Sequence, residues 1–168
     1  LYVHVNNNGI LQTWACGNGN NGMLGNGTVA GTSTVNSTPF LIPELTGKSI
    51  VNGFVTRATT QFVTSTGEVW GAGYNYHGSL GIGTSTNDQM TFQRARLNAN
   101  DFVTNAVAVY IMWDSGVCLS SYILLSDKTV LSAGAGVNGR LGDGNTASHQ
   151  RNFFQPVLKA ANTPLTDI

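Results

Sequence analysis

The chain has 168 residues and 17.7 kDa, the size of one domain, and its 41% apolar residues suffice for a core. Charge is scarce: Asp, Glu, Lys and Arg make up 10%, and eight basic against eight acidic residues leave a net charge of zero. A neutral surface cannot gather phosphate backbones or anionic lipid, and no apolar run approaches the roughly 20 residues of a membrane span, which sets nucleic acid and membrane insertion aside.

Taken in chain order, Leu1 already stands inside a strand-like pattern with no initiating Met or leader, so the chain reads as cut from something longer. Tyr2-Val3-His4-Val5, a polar turn ending at Gly9, and Ile10-Leu11 form the first expected hairpin. A glycine frame follows at Gly17, Gly22, Leu24, Gly25 and Gly27. A polar stretch then leads to a β-prone run from Ser49 to Val55. The second hairpin is Gln61-Phe62-Val63-Thr64, a Ser65-Thr66-Gly67 turn and Glu68-Val69-Trp70, running into the frame Gly73, Gly78, Leu80, Gly81 and Gly83. A further β-prone run begins at Ala106. Tyr122-Ile123-Leu124-Leu125, Ser126-Asp127-Lys128 and Thr129-Val130-Leu131 then give the third hairpin, ahead of Gly134, Gly139, Leu141, Gly142 and Gly144.

The frame G-x-x-x-x-G-x-L-G-x-G therefore recurs three times without a gap. Leu24 and Leu80 are 56 residues apart, Leu80 and Leu141 are 61 apart, and each period accommodates four short strands with their turns. The glycines suit positive φ or close approach to a neighbouring strand, and the lone Leu suits an anchor in the core. No helix signal or Lys follows the frame, so it is not a phosphate cradle. The expected fold is all-β: a partial β-propeller of about three four-stranded antiparallel blades, forming one domain over 1–168 with units near 1–48, 49–105 and 106–168.

The clearest copy, Gly67-Glu68-Val69-Trp70-Gly71-Ala72-Gly73-Tyr74-Asn75-Tyr76-His77-Gly78-Ser79-Leu80-Gly81, resembles the repeat of the regulator of chromosome condensation family. The resemblance spans nearly the whole chain. It departs where that family usually carries Trp before the first frame glycine, since Cys16, Ala72 and Ala133 stand there, and the Asn after that glycine survives only as Asn75. It implies a ring of about seven blades, so three units need further blades or neighbouring subunits to complete them. It also implies partners met by loops at one end of the ring, and a family that includes GTPase exchange factors, enzyme inhibitors and phage or bacterial surface proteins.

Two loops hold candidate contact residues. Tyr74, Asn75, Tyr76 and His77 place two phenols, an amide and an imidazole between frame glycines, suited either to gripping a sugar or protein or to packing between blades. Trp113 and Asp114, followed by Ser115 and Gly116, offer an interface anchor or a buried wedge. Arg57, in the corresponding loop of the preceding unit, suits a ligand carboxylate or plain solvation. Cys16 and Cys118, about a hundred residues apart, read as buried free thiols, with a bridge between them as the alternative. His4, His77 and His149 occur singly, so no metal site is expected. No nucleophile–base pair or paired carboxylates stand at useful spacing, which argues against an enzyme and against a cofactor.

The leading expectation is a non-enzymatic recognition module of a virion or cell surface, such as a phage tail fibre or adhesin, holding a host glycan or protein by its loops. The low-charge, Asn/Gly/Thr-rich composition favours an extracellular or virion setting. A soluble regulator, either exchange factor or inhibitor, and a purely structural virion decoration are the competing expectations.

Overall fold

The structure, a computed structural model, describes residues 1–27, 35–114, 117–160 and 163–166, with side chains described for these except 114 and 117–119. Three antiparallel sheets follow one another along the chain. The first joins β1 (Tyr2–Asn7), β2 (Ile10–Asn18) and β3 (Val35–Leu41) in that order. The second joins β4 (Ile50–Val55), β5 (Thr59–Thr64), β6 (Val69–Gly73) and β7 (Gln89–Arg94). The third joins β8 (Ala106–Asp114), β9 (Val117–Leu125), β10 (Val130–Ala135) and β11 (Gln150–Pro156). A short pair, β12 (Leu158–Ala160) and β13 (Thr163–Pro164), ends the described chain. Helical structure among the described residues is confined to single 3-10 turns.

All three expected hairpins are present. Asn8 at φ 51° and Gly9 at φ 86° turn the first, because a two-residue link between right-twisted strands needs positive φ at both positions. The first sheet, expected to have four strands, has three among the described residues, with β1 and β2 matching the hairpins β5–β6 and β9–β10. The strands β3, β7 and β11 fall within the stretches that the sequence suggested were polar loops. In β7, only Phe92 among Gln89-Met90-Thr91-Phe92-Gln93-Arg94 is fully buried, so the strand lacks the alternation that would mark it.

The sheets are wedges about an axis. At one edge β4 lies against β8, with Asn52 Oδ1 accepting the Val109 amide at 3.0 Å and the Phe54 and Tyr110 rings 6.3 Å apart. At the other edge the second frame loop lies against β11, with Gly78 beside Asn152 and Gly81 beside Phe154. A core lies in each wedge gap: Leu24, Ile42, Phe62 and Phe92 between the first and second sheets, and Val63, Val69, Ile123, Leu131 and Phe154 between the second and third. Tyr2 closes the first gap, its phenol donating to the Met23 carbonyl and meeting Thr60 Oγ1 at 3.0 Å, and burial pushes that phenol's pKa well up.

The frame behaves as its composition suggests. Leu24, Leu80 and Leu141 are all buried, and every frame glycine has positive φ. At Gly81, φ is 63° and an added Cβ would lie 2.2 Å from the Phe154 ring; Gly25 faces Phe92 in the same way at 2.4 Å. The first two loops are thus sockets for an aromatic on the outer strand of the next sheet, while Gly142 in the third faces Val157 at 2.7 Å.

Candidate functional site

The bend carrying Arg57 and the loop carrying Tyr74, Asn75, Tyr76 and His77 share one end of the second sheet. The Tyr74 amide donates to the Ala58 carbonyl at 2.8 Å, and Thr59 Oγ1 donates to the Tyr74 carbonyl at 3.3 Å. The Tyr74 ring lies 5.3 Å from Tyr76 and 5.9 Å from His77, so the three rings form one cluster. Tyr76 is 50% exposed, and Arg57 is exposed with no ion-pair partner among the described residues.

Asn75 departs from its neighbours. It is fully buried, its Nδ2 donating to the Thr84 carbonyl at 2.9 Å and its Oδ1 accepting the Leu80 amide at 3.0 Å. Both ends of the amide are consumed in bracing the loop, so Asn75 shapes the surface and a partner cannot reach it. His77 lines a cleft of about 420 Å³ together with Val137, Arg140, Ser148 and His149 from the third sheet's loops.

The β8–β9 hairpin reaches beyond this surface. Registering Thr59 opposite Gly73 and Ser120 opposite Gly134 aligns the two sheets, and β8 and β9, nine residues each, overrun β4 and β5, six each, by three residues at this end. At about 3.3 Å per residue the hairpin projects roughly 10 Å. Trp113 rides on that projection at 45% exposure, which identifies it as accessible and not as a buried wedge. The Asp114 side chain, Ser115 and Gly116 lie outside the described residues. Tyr110 at 57% exposure, with Met112, Val55 and Phe54, extends the apolar surface along the axial edges of β8 and β4. The sequence marked these residues as strand. Their exposure follows from the edge position, which periodicity does not reveal.

Among the described residues one His–carboxylate pair is present, and it is engaged on all sides. His149 Nε2 meets Asp143 Oδ2 at 2.7 Å, Nδ1 meets the Ala147 carbonyl at 2.9 Å, and Arg151 holds the same carboxylate oxygen at 3.1 Å. With both ring nitrogens occupied, the imidazole has none to offer as a general base. The Ala147 carbonyl and Asp143 raise its pKa; burial opposes ionisation of Asp143, but the Asn145 amide, His149 and Arg151 outweigh it and hold that carboxyl low. No group of metal-ligating side chains occurs among the described residues. Cys16 is a half-buried free thiol, while the Cys118 side chain lies outside the described residues.

No protein-family model matches the chain, and no curated protein matches it. Solved structures do. Human WBSCR16 superposes with a TM-score of 0.68 at 18% identity, over 87% of this chain and 36% of that one. Prp20p from Saccharomyces cerevisiae, described with its binding to Gsp1p and histones, gives 0.69 at 12% identity over 91% of this chain and 35% of that one. Yeast RCC1 (Prp20) bound to Kap60 gives 0.69 at 12% identity, over 96% and 36%. The chain therefore spans about a third of the length of the structures it matches. The shared feature is the fold: an all-β, partial propeller of the chromosome-condensation-regulator type.

Proposed function

We propose that this chain is part of a β-propeller recognition module that performs no chemistry of its own and takes a protein partner on the end bearing Arg57, Tyr76, His77 and Trp113. The observation that carries this reading is the projecting β8–β9 hairpin with its exposed Trp113, continuous with the apolar edge formed by Tyr110, Met112 and Phe54. Exposed aromatic and Met side chains are the anchors that protein interfaces use. Prp20p, of like fold, binds proteins, which supports the same class of partner here. The scarcity of charge supports a virion or cell-surface setting, where the partner is a host protein or glycan. The likeness to Prp20p favours the second reading, a soluble regulator gripping one protein.

Further blades are the other partner. The face of the first sheet formed by Leu1, Val3, Val5, Trp14 and Pro39 encloses an apolar hollow of about 300 Å³, and the third frame loop has open space beside Gly139 and Gly144. Pro39 occupies in β3 the register position that Phe92 and Phe154 hold in β7 and β11. Both faces match the surfaces that the inner sheets bury.

Parallel protein and glycan arrays probed with the wild-type chain and Trp113→Ala test the recognition reading. Protein ligands lost in the variant at unchanged melting temperature are the expected outcome. Ligands retained in full by the variant contradict it.

A further inference from the structure

Beside β6 and β7 of the second sheet lies a cleft of about 620 Å³ lined by Lys48, Glu68, Trp70, Gln89, Gln93, Arg94, Arg96 and Phe102. Trp70 on β6 stands opposite Arg94 on β7, and Arg96 pairs with Phe102 across a short bridge after β7. Three of the chain's eight basic residues meet here. Among the described residues, the one carboxylate lining the cleft is Glu68, and it is fully engaged: Lys48 Nζ lies 2.8 Å and the Trp70 indole nitrogen 3.0 Å from Oε2, with Arg94 Nη1 3.2 Å from Oε1. Burial opposes its ionisation, but Lys48, Trp70 and Arg94 outweigh burial and keep it charged. Asp101, in the loop beyond, lies outside the lining and spends Oδ2 on Asn98.

Three cations against one carboxylate leave the cleft with two positive charges in excess. The guanidinium carbons of Arg94 and Arg96 lie 4.6 and 4.1 Å from the centre of the same Phe102 ring, and Lys48 lies 4.7 Å from the Trp70 ring. The aromatic faces hold the cations in place but do not neutralise them, and Arg94 Nε is buried without an acceptor. Arg96 Nη1 donates to the Ala99 carbonyl at 3.0 Å, and the planar forks of both guanidinium groups suit carboxylate or sulfate oxygens.

We propose that this cleft binds an acidic sugar, one or two pyranose units bearing a sulfate or carboxylate, with Arg96, Arg94 and Lys48 taking the anionic group. A cleft of this size lies within the range of about 300–1,000 Å³ typical of small-molecule sites. The side-chain amides of Gln89 and Gln93 and the hydroxyl of Thr84, on its wall, match sugar hydroxyls. A bare inorganic anion leaves most of the space unfilled. An acidic peptide calls for an extended track of cations, and the chain's remaining basic residues lie outside the cleft.

Calorimetric titration with a heparin-derived sulfated disaccharide is the test, with lactose, sodium sulfate and tetraglutamate as comparison probes. The sulfated disaccharide binds, lactose does not, and Arg96→Gln weakens binding at least tenfold at unchanged melting temperature. Arg96→Lys recovers part of the affinity, and Trp113→Ala leaves it intact, which separates this site from the loop end. Absence of binding, equal binding of sodium sulfate, preference for tetraglutamate, or full affinity in Arg96→Gln each overturns the proposal.

Discussion

Gly83 and Gly144 hold the same place in successive copies of one motif, both with positive φ, yet a Cβ at Gly83 would lie 2.9 Å from the Phe153 ring, while at Gly144 it would meet nothing within 4 Å. Gly78 and Gly139 repeat the contrast: the first abuts Asn152 at 2.5 Å, the second faces open space. The backbone course is therefore a property of the loop itself, whereas the packing varies with the neighbour: Gly27 in the first loop also meets nothing within 4 Å, and Gly142 in the third lies 2.7 Å from Val157. Where β11 covers the second loop, Asn75 braces it from within. In the third loop Gly136 replaces Asn75, and the bracing passes to Asp143, His149 and Arg151.

The sharpest way to break the comparison is to empty a covered socket. Phe154 is fully buried between the second and third sheets, and Phe154→Ala should cost about 3–5 kcal/mol by chemical denaturation. A cost near that of a surface substitution would show that the socket is not filled. Next in size, Gly81→Ala meets both the left-handed backbone penalty and the Phe154 ring, together about 3 kcal/mol, whereas Gly144→Ala meets the backbone penalty alone, about 1 kcal/mol. Equal costs would erase the distinction between the loops. Asn75→Ala leaves the Leu80 amide and Thr84 carbonyl unpaired and should cost about 1–3 kcal/mol.

The third loop responds to pH. His149 has a raised pKa, so its contribution is complete below the ordinary imidazole value of about 6.5 and lost as pH rises through the raised value. Asp143 has a lowered pKa, so its contribution is present above about 3.9 and lost as pH falls through the depressed value. The loop is best held between these limits. By NMR, His149 should titrate above the free imidazole midpoint, and in Asp143→Asn that midpoint should fall. A midpoint that stays put shows the pair is not formed. Smallest in stability, Trp113→Ala should change folding free energy by no more than about 0.5 kcal/mol, since the side chain is half exposed.

Hairpins and sockets were legible in the sequence because they depend on local chemistry: alternation in Gln61-Phe62-Val63-Thr64, turn residues such as Asn8-Gly9, and a glycine frame too regular to be accidental. The outer strands were not, since β7 buries one large side chain and draws its register from β6, a partner distant in sequence. Among site residues, Tyr76 and Arg57 are exposed and lie outside the strands as expected, whereas Trp113, expected in a loop, stands on strand β8, exposed because β8 and β9 run past their counterparts β4 and β5. Asn75 looked the same in sequence and proved to be a brace, because the partners that consume its amide, Thr84 and Leu80, become neighbours only once the loop closes. The cation cleft was missed because Lys48 and Arg94 are far apart in the chain, although Arg94 and Arg96 in so charge-poor a sequence were a usable signal.

A double-mutant cycle between Gly81 and Phe154, measured by equilibrium denaturation, tests most directly that a covered frame loop is a socket for the next sheet. With Phe154 already truncated to Ala, Gly81→Ala should cost only the backbone penalty of about 1 kcal/mol, because the ring it would strike is gone. Strict additivity of the two substitutions would contradict the account.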